Sequence, residues 1–227
     1  MCFSASASFA AATGLLVAGI FAMKKVRSRS QFAFASIPLL FSIQQFAEGF
    51  VWLSLTHENF RSWEAVASYS FLFFAQVVWP VLVPFSLLLI EKNAIRRKAL
   101  LFFTYMGSTL GAYLFYCLLT YPINAKVVSW HIHYTLDFPL SLVWISGLFY
   151  FIPTVASPLI SSVNRIPQLG IAIFISYIFT RIYYENYFIS VWCFFAAIIS
   201  VLVLSIVVEM NKPLKNSTLL FNTINEL

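Results

Sequence analysis

Long apolar stretches separated by short polar ones dominate the chain. Seven of them hold about the 20 mainly apolar residues that a helix needs to cross a bilayer: Ser4–Met23, Phe32–Leu55, Ala67–Ile90, Ala99–Thr120, Phe138–Ser157, Ile166–Tyr184 and Phe188–Val208. The pattern predicts an all-α fold, a polytopic transmembrane helix bundle of seven spans over residues 1–210, followed by a short polar tail over residues 211–227 that frays. Gly107 and Gly111 give the fourth stretch a GxxxG spacing. Small residues one turn apart let two helix backbones approach closely. Packing within the chain is the expected use, and a dimer seam is the alternative.

Composition strengthens the membrane reading. Hydrophobic residues make up 61% of the 227 and charged residues 10%, against about 25% charged in an ordinary soluble domain. A soluble protein this apolar lacks the polar surface to cover itself, whereas lipid tails can face the excess.

Charge then orients the bundle. Eleven of the fourteen basic residues fall on one side: Lys24, Lys25, Arg27 and Arg29, then Lys92, Arg96, Arg97 and Lys98, then Arg165, Lys212 and Lys215. Arg61, Lys126 and Arg181 fall on the other. The positive-inside rule places the first set in the cytoplasm, so the N-terminus is expected outside and the C-terminus inside. Ser4-Ala-Ser-Ala precedes the first apolar stretch and Lys24-Lys25 follows it. This reverses the order of a cleavable signal peptide, so a retained span is expected. The net charge of +6 does not point to nucleic acid, because the basic clusters alternate with apolar runs and form no soluble basic face. With no Lys inside a span, a retinal Schiff base is excluded. No Gly-rich phosphate loop, G-x-S-x-G or H-E-x-x-H motif occurs.

The polar residues of the spans gather in the outer half. Glu48 is the most informative, lying about 10 Å below the outer surface at 1.5 Å per residue. An ionised carboxylate at that depth costs several kcal/mol unless paired, hydrated or protonated. Gln44, Gln45 and Trp52 lie on or near the same helical face, which is expected to point into the bundle. Either Glu48 handles a ligand, metal or proton, or it is protonated or satisfied by Arg181 or a Gln and only joins helices. Gln76, Tyr134, Arg181 and Trp192 are expected to line the same outward-opening pocket. All six Trp residues lie in the outer half or near the midplane, which an interfacial aromatic belt also explains.

His131 and His133 are two apart, so both imidazoles lie on one side of an extended segment. They form a candidate metal pair, for zinc or copper, with Asp137, Glu48 or a Cys thiolate completing the shell; two unbound loop histidines are the alternative. Three cysteines, Cys2, Cys117 and Cys193, without CxxC spacing, are neither a disulfide framework nor a zinc ribbon. Cys2 and Cys193 belong to the outer ends of the first and last spans, where a disulfide, a metal–thiolate pair and two unrelated thiols all remain open. Pro80 and Pro84, and Pro139, Pro153 and Pro158, each remove a backbone donor and are expected to kink their helices.

The opening Met1-Cys-Phe-Ser-Ala, the Gln45…Glu48…Trp52 stretch, and the Phe188–Ala197 stretch with Cys193 and the following Ser200 resemble a group of bacterial integral membrane proteins of unknown function that open Met-Cys-(Phe/Trp)-Ser-Ala. The resemblance implies a multi-span protein of the bacterial inner membrane and places shared motifs at Cys2, Glu48 and Cys193. Members carry His where Gln44 stands here.

Three functions compete: an outward-facing pocket binding or transporting a small molecule, metal or lipid headgroup; a membrane-embedded metal-dependent hydrolase acting on a lipid amide or ester; and thiol redox chemistry through Cys2 and Cys193. No histidine lies inside a span, which departs from the seven-span ceramidase and adiponectin-receptor hydrolases. The bilayer is the one partner the sequence specifies. Oligomeric state is not legible from it.

Overall fold

The computed structural model describes residues 4–139 and 143–212. Cys2, the residues between, and the tail beyond 212 lie outside that description. Helix α1 (Ala5–Lys24) starts at Ser4, whose hydroxyl caps it by accepting from the Ala7 N–H at 3.2 Å. A 3-10 turn and the short α2 (Phe32–Ala35) lead into α3 (Ile37–Thr56). Next come α4 (Glu64–Phe73), α5 (Trp79–Ile90) and α6 (Ala94–Thr120). A hairpin of β1 (Ile123–Val128) and β2 (His131–Leu136) follows, then α7 (Val143–Phe151), α8 (Ser157–Ile160), α9 (Ile166–Tyr183), α10 (Phe188–Ile199) and α11 (Leu202–Met210).

Five helical stretches are long and apolar enough to cross a membrane: Ala5–Lys24, Glu58–Ile90, Ala94–Thr120, Ile166–Tyr183 and Glu185–Met210. The chain is therefore a helical membrane protein. Two of the seven expected spans fall short of that standard. Helix α3 has the length, but Gln44, Gln45 and Glu48 pull down its hydropathy. The apolar helix Gly147–Ile160 is shorter.

The fold is also not purely helical. The hairpin stands where a loop was expected, with Val128 opposite His131 across a two-residue turn. Ser129 and Trp130 both take positive φ, 49° and 66°, as a tight hairpin turn requires but as bulky side chains resist.

Helix α1 lies along α3. A Cβ on Gly19 would stand 2.5 Å from Leu39, and one on Gly49 would stand 2.6 Å from Phe9. The Ser42 hydroxyl donates to the Ala12 carbonyl at 2.7 Å. Helices α10 and α11 also contact α1, and α10 contacts α3, so the first and last spans meet.

The prolines act through π turns. Phe74–Val78 is one, immediately before Trp79-Pro80, and Ile152–Ala156 is another, before Ser157-Pro158. In the first, the Trp79 N–H reaches Phe74. Pro80 has no N–H to offer, so the Ala75 carbonyl loses its helical donor. The Tyr150 hydroxyl of α7 supplies it, at 2.5 Å. Pro84 likewise leaves the Pro80 carbonyl without its i+4 donor. That oxygen sits where a Cβ on Gly107 would come within 1.8 Å, and Gly111 faces Val77. The GxxxG spacing thus packs α6 against α5 within one chain.

The loops that carry most of the basic residues collect at one end, here the basic end. The Glu91 carboxylate, following α5, accepts from the Asn93 N–H at 2.9 Å, the Ser161 hydroxyl at 3.2 Å, the Ser162 N–H at 2.7 Å and the Ser162 hydroxyl. This clasps the α5–α6 loop to the α8–α9 loop. Arg165, itself at φ 65°, pairs with Glu209 at 2.5 Å. Asn211, the first residue of the expected frayed tail, is tied down: it donates to the Lys25 carbonyl at 2.9 Å and exchanges bonds with Gln31.

Two outcomes follow from this packing. Gly107→Ala lowers the melting temperature in detergent by the equivalent of about 1–3 kcal/mol or more, because backbone must move. Gly14→Ala, whose Cβ meets nothing within 4 Å, leaves it unchanged or slightly raised. Burial alone would raise the Glu91 carboxyl, but its hydrogen bonds from Ser162, Asn93 and Ser161 outweigh that and hold it below the ordinary 4.5. A lowered folded value means that the clasp stabilises the fold above the ordinary value and loses its contribution as pH falls through the lowered one. Melting curves of the wild type and Glu91→Gln should therefore differ at neutral pH and converge as the pH drops below about 4.5; a constant gap would refute the clasp.

Candidate functional site

Helix α3 carries Gln44, Gln45, Glu48 and Trp52 on its inward side, and all four are buried. Their spacing of three and four residues explains this, since i, i+3 and i+4 positions share a helical face. A carboxyl group so placed needs hydrogen bonds from the protein. The Ser190 hydroxyl of α10 donates to Glu48 Oε1. Three residues along α10, the buried Cys193 stands beside Gln44 and within electrostatic reach of Glu48. The indole N–H of Trp79 donates to Gln44 Oε1 at 2.7 Å, and the Trp79 ring stacks on Phe41 at 3.8 Å. The sequence reading missed Ser190 and the Trp79 bond. Ser190 had a signal, since it precedes Cys193 by one helical turn.

The hairpin covers this cluster from the end opposite the basic loops. Alternation along β2 sends Ile132 and Tyr134 inward, both buried, and leaves His131 and His133 half-buried on the other side. Tyr134 stacks on Phe71 at 5.1 Å. Burial first, and then the nearby Glu48 and Cys193, hold its phenol protonated, well above the ordinary value.

Several buried polar atoms of this cluster are left short of partners: the Tyr134 hydroxyl and Trp192 Nε1 have none among the described residues, and the Gln44 and Gln45 amides face Cys193 and Glu48 without closing a bond of ordinary geometry. Such groups are normally satisfied, and a concentration of them marks a place that takes water or a ligand. Toward the basic end an apolar cavity of about 60 Å³ opens, which is room for roughly two waters at the liquid's volume per molecule. Trp79, Trp192 and Cys193 line it, together with Tyr150, Ala196 and Ser200. These first three residues thus belong to both compartments.

The remaining expected site residues lie elsewhere. Arg181 is partly exposed and pairs with Glu185 at 3.1 Å, so it does not neutralise Glu48. Its place one turn before Glu185 accounts for this. Gln76 is half-buried within the first π turn. His133 Nδ1 bonds the Asn186 carbonyl at 2.6 Å, and His131 stacks on Tyr187 at 4.8 Å. The histidines thus fasten the hairpin to the α9–α10 connection. Asp137 is exposed. Strand parity therefore separates the histidines from Glu48 and Cys193, and among the described residues no three His, Cys, Asp or Glu side chains stand together as metal ligands. Cys2 lies outside the described residues, so its relation to Cys193 is not part of this geometry. Cys117 and Cys193 are free thiols.

Helices of membrane-crossing length around a buried polar cluster define a helical membrane protein. The chain belongs to a family of unknown function, DUF6629, whose profile matches residues 1–218. No curated protein matches it. No solved structure matches it either.

The Glu48–Ser190 bond gives a direct test of how the cluster holds α3 to α10. Ser190→Ala leaves a buried carboxyl short of a donor and should lower stability by about 1–3 kcal/mol. In Glu48→Leu the carboxyl is gone, so adding Ser190→Ala should change little. Additive losses in this double-mutant cycle, read by thermal melting, would show that the two groups are not coupled.

Proposed function

We propose that this chain is a seven-span protein of the bacterial inner membrane that binds a small amphiphile within its bundle. The polar group of the ligand sits against Glu48, Gln44, Gln45 and Tyr134. Its apolar part, a short alkyl chain, occupies the cavity lined by Trp79, Trp192 and Cys193. Helix α3 and the α7–α8 segment complete the seven spans. The basic end faces the cytoplasm, as the positive-inside rule demands, and the hairpin covers the site from outside.

The observation that carries this reading is the set of buried polar atoms left short of partners next to an apolar cavity. Desolvated donors without acceptors are costly in a membrane interior, and a compact molecule with a polar head removes the cost while filling the cavity. Mostly apolar walls with a few convergent polar groups are the usual make-up of a small-molecule site. An intramembrane acid facing the bundle interior points the same way.

Propylamine, propanol and propionate, whose chains match the cavity of about 60 Å³, serve as probes for purified protein in nanodiscs, with thermal protection and tryptophan fluorescence as readouts. Saturation at a hundred times Kd stabilises by about 2.7 kcal/mol. At least one probe should protect the wild type, Ala196→Phe should abolish protection by filling the cavity, and Glu48→Leu should change the ranking of the three headgroups. If no probe protects and native membranes yield no co-purifying small molecule, the proposal is wrong.

A further inference from the structure

A second, separate hollow lies near the hairpin end, between the 3-10 turn Glu58–Trp63, the first turns of α4 and strand β1. It measures about 290 Å³ and is lined by Arg61, Ser62, Glu64, Ser68 and Tyr69, with Ile123 and Ala125 as its floor on β1. From this we infer a binding site for a zwitterion that carries a phosphate beside an ammonium group, as in the headgroup of an ethanolamine phospholipid.

Three observations carry the assignment. First, Ser68 is 3% exposed, yet its hydroxyl has no partner among the described residues. Many helical hydroxyls here return their proton to a carbonyl of their own helix, as Ser54, Ser86 and Thr104 do. The Ser68 hydroxyl does not, and Ser68 lines the hollow. Second, the Arg61 guanidinium stands 3.8 Å from Glu58 and 3.6 Å from Glu64. Both distances are beyond a hydrogen bond, so its donors are not committed to those carboxylates. Guanidinium and hydroxyl donors together match phosphate oxygens. Third, Glu64 shares the hollow. A carboxylate there disfavours a simple anion but suits a ligand whose ammonium can face it.

The surroundings favour a lipid source. Trp63 is 53% exposed, and Val66 and Phe60 of the same segment are exposed too, as is usual at the headgroup level of a bilayer. This site shares no lining residue with the Glu48 cluster, so it stands or falls independently of the function proposed above.

The test uses the full chain in nanodiscs of phosphatidylglycerol with or without phosphatidylethanolamine, read by native mass spectrometry and thermal melting. The wild type should retain phosphatidylethanolamine in preference to phosphatidylglycerol. Arg61→Ala and Ser68→Ala should each weaken retention, by on the order of tenfold for the charged contact, and Glu64→Gln should erase the preference. Soluble phosphoethanolamine and inorganic phosphate, added to detergent-solubilised wild type, form the second arm and need no variant to fold. Protection by phosphoethanolamine without retained lipid supports the same chemistry from a soluble source. Equal protection by inorganic phosphate, equal retention of both lipids, or no protection and no retention overturns the assignment.

Discussion

A carboxyl group inside a bundle of apolar helices has no water to turn to, so its neighbours must supply what water would. Glu48 is in that position, and much of the architecture near it answers the need. Ser190 brings α10 against α3. Trp79 brings α5 to the adjacent Gln44. The hairpin adds Tyr134 from above. Three separate parts of the chain, far apart in sequence, are held in register around one face of α3, and several polar atoms are left over after this assembly.

The same rule governs the backbone. Each proline removes a donor, and in a membrane the orphaned carbonyl must find another partner. The Tyr150 hydroxyl answers for Ala75, and the bare face of α6 at Gly107 lets the Pro80 carbonyl lie close. Tyr150 also lines the apolar cavity. The residue that repairs a proline-broken helix therefore shapes the chamber as well, so the cavity is a by-product of how α5 and α7 solve a hydrogen-bonding problem.

How much of this could be read from the chain depended on whether the signal was local. Helical spacing alone put Gln44, Gln45, Glu48 and Trp52 on one face, and they are buried together. The first and last spans meet, and the GxxxG motif packs within the chain. The hairpin was not legible, because Ser129-Trp130 is poor turn chemistry and nothing local announces strands between helices. Missing it misplaced the histidines: the i, i+2 rule correctly put them on one side, but which side faces Glu48 is decided by the tertiary fold. Arg181 failed similarly, since a partner one turn away in Glu185 outcompetes a distant acid. The Trp79–Gln44 bond joins residues 35 apart, beyond any local pattern.

The π turns have a further consequence for how such a chain tolerates change in length. Each has the geometry of one surplus residue accommodated within an otherwise regular helix. Trimming a single residue from Phe74–Val78 would restore a continuous helix and leave Phe71 under Tyr134 and Trp79 facing Gln44, whereas the same deletion in a regular turn would rotate everything after it by about 100°. The bulge is thus a slack link in the helix: it absorbs a change of one residue in length that the regular turns on either side could not.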